Sequence, residues 1–415
     1  MKKPIAISLS PNTEKEDFFL ALKLLFSPWK SFQSSSVRLL EQWFRQYFGV
    51  SYAVSFNSGR SALYAILKAL DIGLGHEVII QSFTCVAVPN SIIWTGAKPI
   101  YVDVQSNLTI DPKEIENKIT KKTKAIIVQH TFGIPSDLLE IKKIARKNNL
   151  FVIEDCAHVV GDTYQNKKLG QFGDISFFSF GRDKAFSSVF GGMAITGHEE
   201  IGKKIRTFQK KLKMPSLSWT IQQLFHPIAF SIILPIYDFL FLGKIILVIF
   251  QKLHFLSLPV SIQDKNGKSN QSFVKKLSDP LAELALFQLK KIKRYNEKRF
   301  NVSSYYIKEI KKLNIEIPYI EPISFLRFPI IADNRDDLIN FFRKKGIYLG
   351  TWYSNVIDPK GVDFKKIYYQ SSLFPNSLKY AKQIVNLPTY PTMTIGDAEK
   401  IVSILKNYVS NSRNS

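Results

Sequence analysis

Residues 151–196 read FVIEDCAHVVGDTYQNKKLGQFGDISFFSFGRDKAFSSVFGGMAIT. An apolar run closes on two carboxylates, Glu154 and Asp155, and a polar loop follows. A second apolar run covers Ile175 to Phe180. Lys184 stands just beyond it, and Gly191-Gly192 leads into a third run. Short apolar runs bounded by turn residues predict buried strands. Asp155 and Lys184 then sit at the ends of neighbouring strands.

Outward from this stretch the chain alternates. Further β-rich runs occur at Tyr52–Phe56, Glu77–Ile80, Pro99–Val104 and Ala125–Gln129, with Leu150–Glu154, Ile175–Phe180 and Met193–Thr196 completing seven. Helical spacing falls between several of them, at Ser61–Ala69, Val86–Trp94 and Ser136–Arg146. Strands alternating with helices predict an α/β fold, a mostly parallel sheet with helices on both faces. Ligands in such sheets bind beyond the carboxyl ends of the strands. After about residue 297 the order is helix, strand, helix and a closing helix at Ile395–Tyr408, which suits a small α+β domain.

At 415 residues, with 45% hydrophobic and 22% charged content, the chain is globular and long enough for two domains. The division expected is an extension over 1–35, a large domain over 36–204, an apolar insertion over 205–270, and a connecting helix with the small domain over 271–415. Within the extension, Asp17–Phe26 reads as a short helix ended by Pro28, an arm for a partner subunit or a membrane surface. Net charge is +23, with lysines spread along the whole chain. That favours phosphorylated substrates or an anionic surface. No zinc-finger spacing, RNA-binding aromatic signature or basic zipper is present, so no nucleic-acid partner is expected. No cluster with metal-ligand spacing is singled out. Two cysteines, Cys85 and Cys156, and no sustained apolar core at the N-terminus point to the cytoplasm.

Ile228–Phe250 (IAFSIILPIYDFLFLGKIILVIF) is close to membrane-spanning length, but Pro235, Asp238, Gly243 and Lys244 interrupt it. Three readings stay open: a helical hairpin on the inner face of a membrane through 215–262, an apolar segment buried against the body, or a true span.

Ser58-Gly59-Arg60 joins the first strand to a helix. Backbone N–H groups and the dipole at such a helix start suit a phosphate, and Arg60 adds charge. Ser179, five residues before Lys184, offers a hydroxyl. An amine and an acid at neighbouring strand ends suit pyridoxal 5′-phosphate: the amine holds it as a Schiff base and the acid pairs with its protonated ring nitrogen. His158, three residues past Asp155, reads as a contact to the cofactor or as a packed histidine. Either ionisable residue alone fits a strand-end acid or a surface lysine.

The ordered motifs SGRSAL (58–63), GHEVIIQSFTCVAVPNSIIWTGAKPIYVDV (75–104), HTFG (130–133), EDCAH (154–158) and GQFGDISFFSFGRDK (170–184) go further. Together they resemble the DegT/StrS family of PLP-dependent sugar aminotransferases. KLSDPLAELALFQL (276–289) and NLPTYPTMT (386–394) extend the resemblance towards the C-terminus. It implies the fold-type I architecture, with a seven-stranded sheet domain and a small C-terminal domain, working as a homodimer. It also implies amino transfer from an amino acid, glutamate by resemblance, to a nucleotide-linked keto-sugar. Lys184 matches the Schiff-base lysine, Asp155 the pyridinium acid, and His158 its neighbour. Ser58, Gly59, Arg60 and Ser179 match the phosphate positions. Cys85 stands where an aromatic ring often stacks on the cofactor, with Phe83 as a nearby substitute.

Four departures accompany the match. Arg60 replaces a usual Thr or Ser, Cys85 replaces the stacking aromatic, and Asp183 precedes the lysine where Thr is common. Val274-Lys275-Lys276 replaces an Asn-x-Arg that in the family often reaches the partner subunit's cofactor phosphate. Two rival functions remain on the same fold: a PLP sugar enzyme of another reaction type, and a membrane-associated regulator without catalysis.

Overall fold

A computed structural model describes residues 4–9, 12–27, 29–30, 33–258, 260–267 and 273–413. Pro28 lies outside them. Seven strands form the central sheet: β1 Tyr52–Phe56, β2 Glu77–Gln81, β3 Lys98–Val102, β4 Thr123–Gln129, β5 Phe151–Asp155, β6 Ile175–Ser179 and β7 Gly192–Thr196. Their order is β1-β7-β6-β5-β4-β2-β3. Only β7 is antiparallel to its neighbours; the remaining pairings are parallel.

The period of two explains the core. Phe178, Ile126 and Val128 face one buried cluster with Phe44 and Phe48. Phe177, Ile127 and Ile153 face the opposite cluster with Leu63 and Ile80. Successive side chains point to opposite faces, so a sheet covered on both sides needs unbroken apolar runs. Phe178 is fully buried, and truncation to Ala would cost about 3–5 kcal/mol.

Behind the sheet, two helices follow one another with a break between them, Asp279–Leu289 and Ile292–Ile310. The latter packs in a separate core with Phe328–Ile331, Ile384–Leu387 and the closing helix Ile395–Arg413. Phe328–Ile331 and Ile384–Leu387 pair antiparallel.

The N-terminal residues lie on the body of the chain. Ile5–Ala6 pairs in parallel with Ile347–Tyr348. The Lys15–Leu25 helix buries Ala21 and Leu24 and packs against Leu217–Ile233 and Asp279–Leu289.

The apolar run at Ile228–Phe250 is not one element. The Leu217–Ile233 helix passes through a 3-10 turn at Leu234–Ile236, and the chain returns as the Leu242–Lys252 helix. Among the described residues one helical stretch, Leu217–Ile236, is long and apolar enough to cross a membrane, and half of it is buried against the protein. The second helix keeps Ile246, Leu247 and Phe250 against a small cluster around Phe230 and Ile233. Its other side and the preceding turn are open: Phe239, Leu240, Phe241, Ile245, Val248 and Leu253 are all at least 49% exposed.

Candidate active site

The site is assembled at the carboxyl ends of β1, β5 and β6. Parallel pairing sets Asp155 beside Phe177, so β6 overruns β5 and carries the chain on to Lys184. Asp155 is buried, 3% exposed. Its Oδ1 accepts the Ala157 N–H at 2.9 Å; among the described residues nothing donates to its other oxygen. Burial pushes its carboxyl up to about 6, against the pull of the Ala157 N–H and the Lys184 and His130 charges. Lys184 is partly open to solvent, and desolvation lowers its pKa although Cys85 and Asp155 oppose the shift. The acid and the amine therefore sense each other's charge.

His158 is buried and neutral. Its Nδ1 accepts the Phe132 N–H at 3.1 Å, which leaves the proton on Nε2, 3.4 Å from the Tyr353 hydroxyl. Desolvation, with the charges of Lys184 and Arg327, holds its pKa well below the usual histidine range.

At the other pole, Ser58 caps the Gly59–Ala69 helix and its Oγ accepts the Ser61 N–H at 3.1 Å. The Gly59 N–H belongs to the helix start, which has no intrahelical acceptor. Ser179 is pressed against this turn: a Cβ on Gly59 would lie 2.9 Å from the Ser179 Cβ. Gly192 is required for a related reason, because a Cβ there would come within 2.4 Å of the Ser58 carbonyl and the Gly59 nitrogen.

Arg60 departs from expectation. Its guanidinium turns away from the turn into a buried ion pair with Asp264 and lies 4.8 Å from the Phe273 ring. Its side chain is spent on holding the 261–264 turn, which Asn90 also grips through the Asp264 carbonyl at 2.8 Å. Cys85 lies on a two-residue strand paired with Ile357–Asp358, and burial raises its thiol pKa. Phe83 does not fill in for a stacking ring; it is fully buried, edge-on to Tyr353. Val274–Lys276 runs beside Asn57 in the same chain, with the Asn57 N–H donating to the Lys275 carbonyl at 3.1 Å.

Two residues that pattern reading does not find complete the site. The Trp352 ring lies 4.7 Å from Lys184 Nζ, stacks on His158 at 5.3 Å and carries the Arg327 guanidinium at 3.7 Å. Arg327 in turn pairs with Asp183 at 3.4 Å. A lone arginine inside the apolar run FLRFPII (325–331) is the sequence signal that marks it.

A family model described as the DegT/DnrJ/EryC1/StrS aminotransferase family matches residues 12–217 and 249–406. The chain belongs to this family. The aminotransferase is a PLP-dependent enzyme of fold type I. It is similar to the uncharacterized protein MJ1066 of Methanocaldococcus jannaschii, 30% identical over 97% of each chain. A shorter stretch is 41% identical to GDP-perosamine synthase of Escherichia coli O157:H7, covering 43% of the aminotransferase and 49% of that protein. The crystal structure of an aminotransferase from Psychrobacter cryohalolentis superposes with a TM-score of 0.74 at 23% identity, covering 96% and 97% of the two chains.

Proposed function

We propose that this enzyme moves an amino group from glutamate to a nucleotide-linked keto-sugar in amino-sugar and surface-glycan biosynthesis. The observation that carries the reading is the grouping of Lys184, coupled by charge to Asp155 and joined to His158 through the Trp352 ring, with Ser179 pressed on the Gly59 turn. The likeness to a GDP-perosamine synthase and the basic charge of +23 support a diphosphate-bearing sugar.

The residues fit pyridoxal phosphate. Asp155 has an oxygen without a donor and a carboxyl raised by uncompensated burial, both of which a cationic ring nitrogen would answer. The helix start at Gly59, with Ser58 and Ser179, would hold the phosphate. Bound there, the cofactor supplies the electron sink for loss of an α-proton. Lys184, whose burial lowers its pKa and so favours the uncharged amine, would take that proton and return it at the acceptor carbon. Asp155 keeps positive charge on the ring nitrogen. Neutral His158 and Trp352 stack on one another beside the amine.

Borohydride reduction of the loaded enzyme should fix the cofactor's mass on the peptide holding Lys184, and Lys184→Ala should abolish that adduct. Nitrogen-15 from glutamate should appear in a keto-sugar acceptor such as GDP-4-keto-6-deoxymannose. An adduct on a different lysine removes the site assignment. Loss of the substrate amine without transfer of the label selects the other reaction type. The dimer implied by the family is checked by light scattering of the purified protein.

The open apolar side of 239–253 supports a second element of the reading: contact with an anionic membrane at its inner face. Its most exposed residue is Leu240, at 74% on a projecting turn, a shape suited to insertion among lipids. A net charge of +23 favours an anionic bilayer over a second copy of the same cationic chain. The enzyme should float with vesicles containing phosphatidylglycerol, and Leu240→Glu/Phe241→Glu should abolish flotation. Failure of the wild-type protein to float ends this element; a concentration-dependent mass lost in the same variant assigns the surface to self-association.

A further inference from the structure

We propose that the Arg343–Lys345 turn of the small domain binds the anionic headgroups of the bilayer on which the 239–253 surface rests. The inference rests on the membrane contact read above and is independent of the amine chemistry. It starts from Asp238 and Lys244, two charges inside an apolar run that the active site leaves unused. Lys244 Nζ pairs with Asp238 at 2.8 Å and lies 5.1–5.3 Å from the rings of Tyr237, Phe241 and Tyr348. The Tyr348 hydroxyl donates to the same Asp238 carboxylate, and its ring meets Tyr237 edge-on at 5.5 Å. These contacts bolt the projecting turn to the small domain.

Tyr348 ends the short Ile347–Tyr348 strand that follows the Arg335–Arg343 helix. Gly346, at φ +71°, turns the chain from one into the other. Arg343, Lys344 and Lys345 crowd that turn, and all three are exposed. The acids of the same helix are engaged elsewhere, Asp336 by Arg335 at 3.2 Å and Asp337 by the Tyr408 hydroxyl at 3.0 Å. Burial raises the Tyr237 phenol, and the charges of Lys244 and Arg343 oppose it; Arg343 therefore stands near the root of the projecting turn. The outcome is one face with Leu240 and Phe241 at its tip, 74% and 65% exposed, and three cations on its flank. An apolar tip alone takes any lipid, whereas adjoining cations select a negatively charged surface.

Flotation of the full chain with phosphatidylglycerol vesicles, titrated over lipid concentration at low salt, tests the assignment. Arg343→Gln/Lys344→Gln/Lys345→Gln should partition about 100-fold more weakly than wild type. Lys121→Gln/Lys122→Gln/Lys124→Gln removes equal charge from exposed positions at the amino end of β4 and should lose less than about threefold. On phosphatidylcholine vesicles the wild type and the 343–345 variant should bind equally weakly. Thermal melts check that each variant is folded, and high salt, which screens the cations without any mutation, should reproduce the loss in the wild type. Unchanged partition of the 343–345 variant overturns the proposal and leaves the apolar contact standing. An equal loss in both triple variants does the same, by assigning the effect to net charge. A wild type that floats with neither vesicle sinks the membrane reading and this proposal together.

Discussion

The side-chain amide of Asn12 donates to the backbone carbonyl of Lys184 at 2.6 Å. Arg299 grips the next carbonyl, Ala185, at 2.8 Å and the Asn12 Oδ1 at 3.1 Å. Gln288 closes the arrangement by donating to the Asn12 carbonyl at 3.2 Å. The N-terminal segment and the two helices behind the sheet thus clamp the backbone of the lysine loop and leave the amine free to move.

Asn12→Ala removes one clamp: the Lys184 carbonyl loses its Asn12 donor and Arg299 loses one of its acceptors. The expected cost is about 1–3 kcal/mol in urea unfolding of the cofactor-free enzyme. A loosened loop also misplaces the amine, so kcat should fall by about tenfold. Unchanged kcat alongside the lost stability would restrict Asn12 to a structural role.

Asp155 gives a pH signature in the cofactor-free protein. Below about 3.8 it is protonated whether folded or unfolded and imposes no penalty. Between 3.8 and about 6 only the folded state keeps the proton, so stability falls as pH rises. Above 6 the buried charge costs its full amount, roughly 3 kcal/mol. Asp155→Asn should therefore stabilise the cofactor-free protein at pH 8 by up to that amount and confer much less at pH 4.5. Chemical denaturation at the two pH values checks the difference. With cofactor bound the order should reverse, since the variant loses the charge that answers the ring nitrogen.

The Arg60–Asp264 pair is 7% and 9% exposed on its two side chains. Asp264→Ala should cost about 3–5 kcal/mol, because it takes the carboxylate away from a buried guanidinium. The double variant Arg60→Leu/Asp264→Leu should recover most of that loss. Urea midpoints for the single and double variants decide; equal losses would show that the 261–264 turn is held by other contacts.

The seven apolar runs determine the sheet by themselves, within about two residues at each end, because burial on both faces demands apolar side chains at odd and even positions alike. They also determine that Asp155 closes one strand and that Lys184 lies in the loop just past another, since Asp155 ends its run and Lys184 comes soon after Phe180. The Ser58–Gly59 turn is legible for the same reason, as the junction of a strand and a helix. Tertiary structure alone decides what meets at the lysine. Trp352, Arg327 and Asn12 arrive from loops and segments far along the chain, where no periodicity records a neighbour. It also decides the fate of Arg60: a positive side chain at a helix start fits a phosphate, but a buried carboxylate 204 residues away claims it. Local pattern reports which side of an element faces the core; the partner found there depends on chain packing that short windows do not contain.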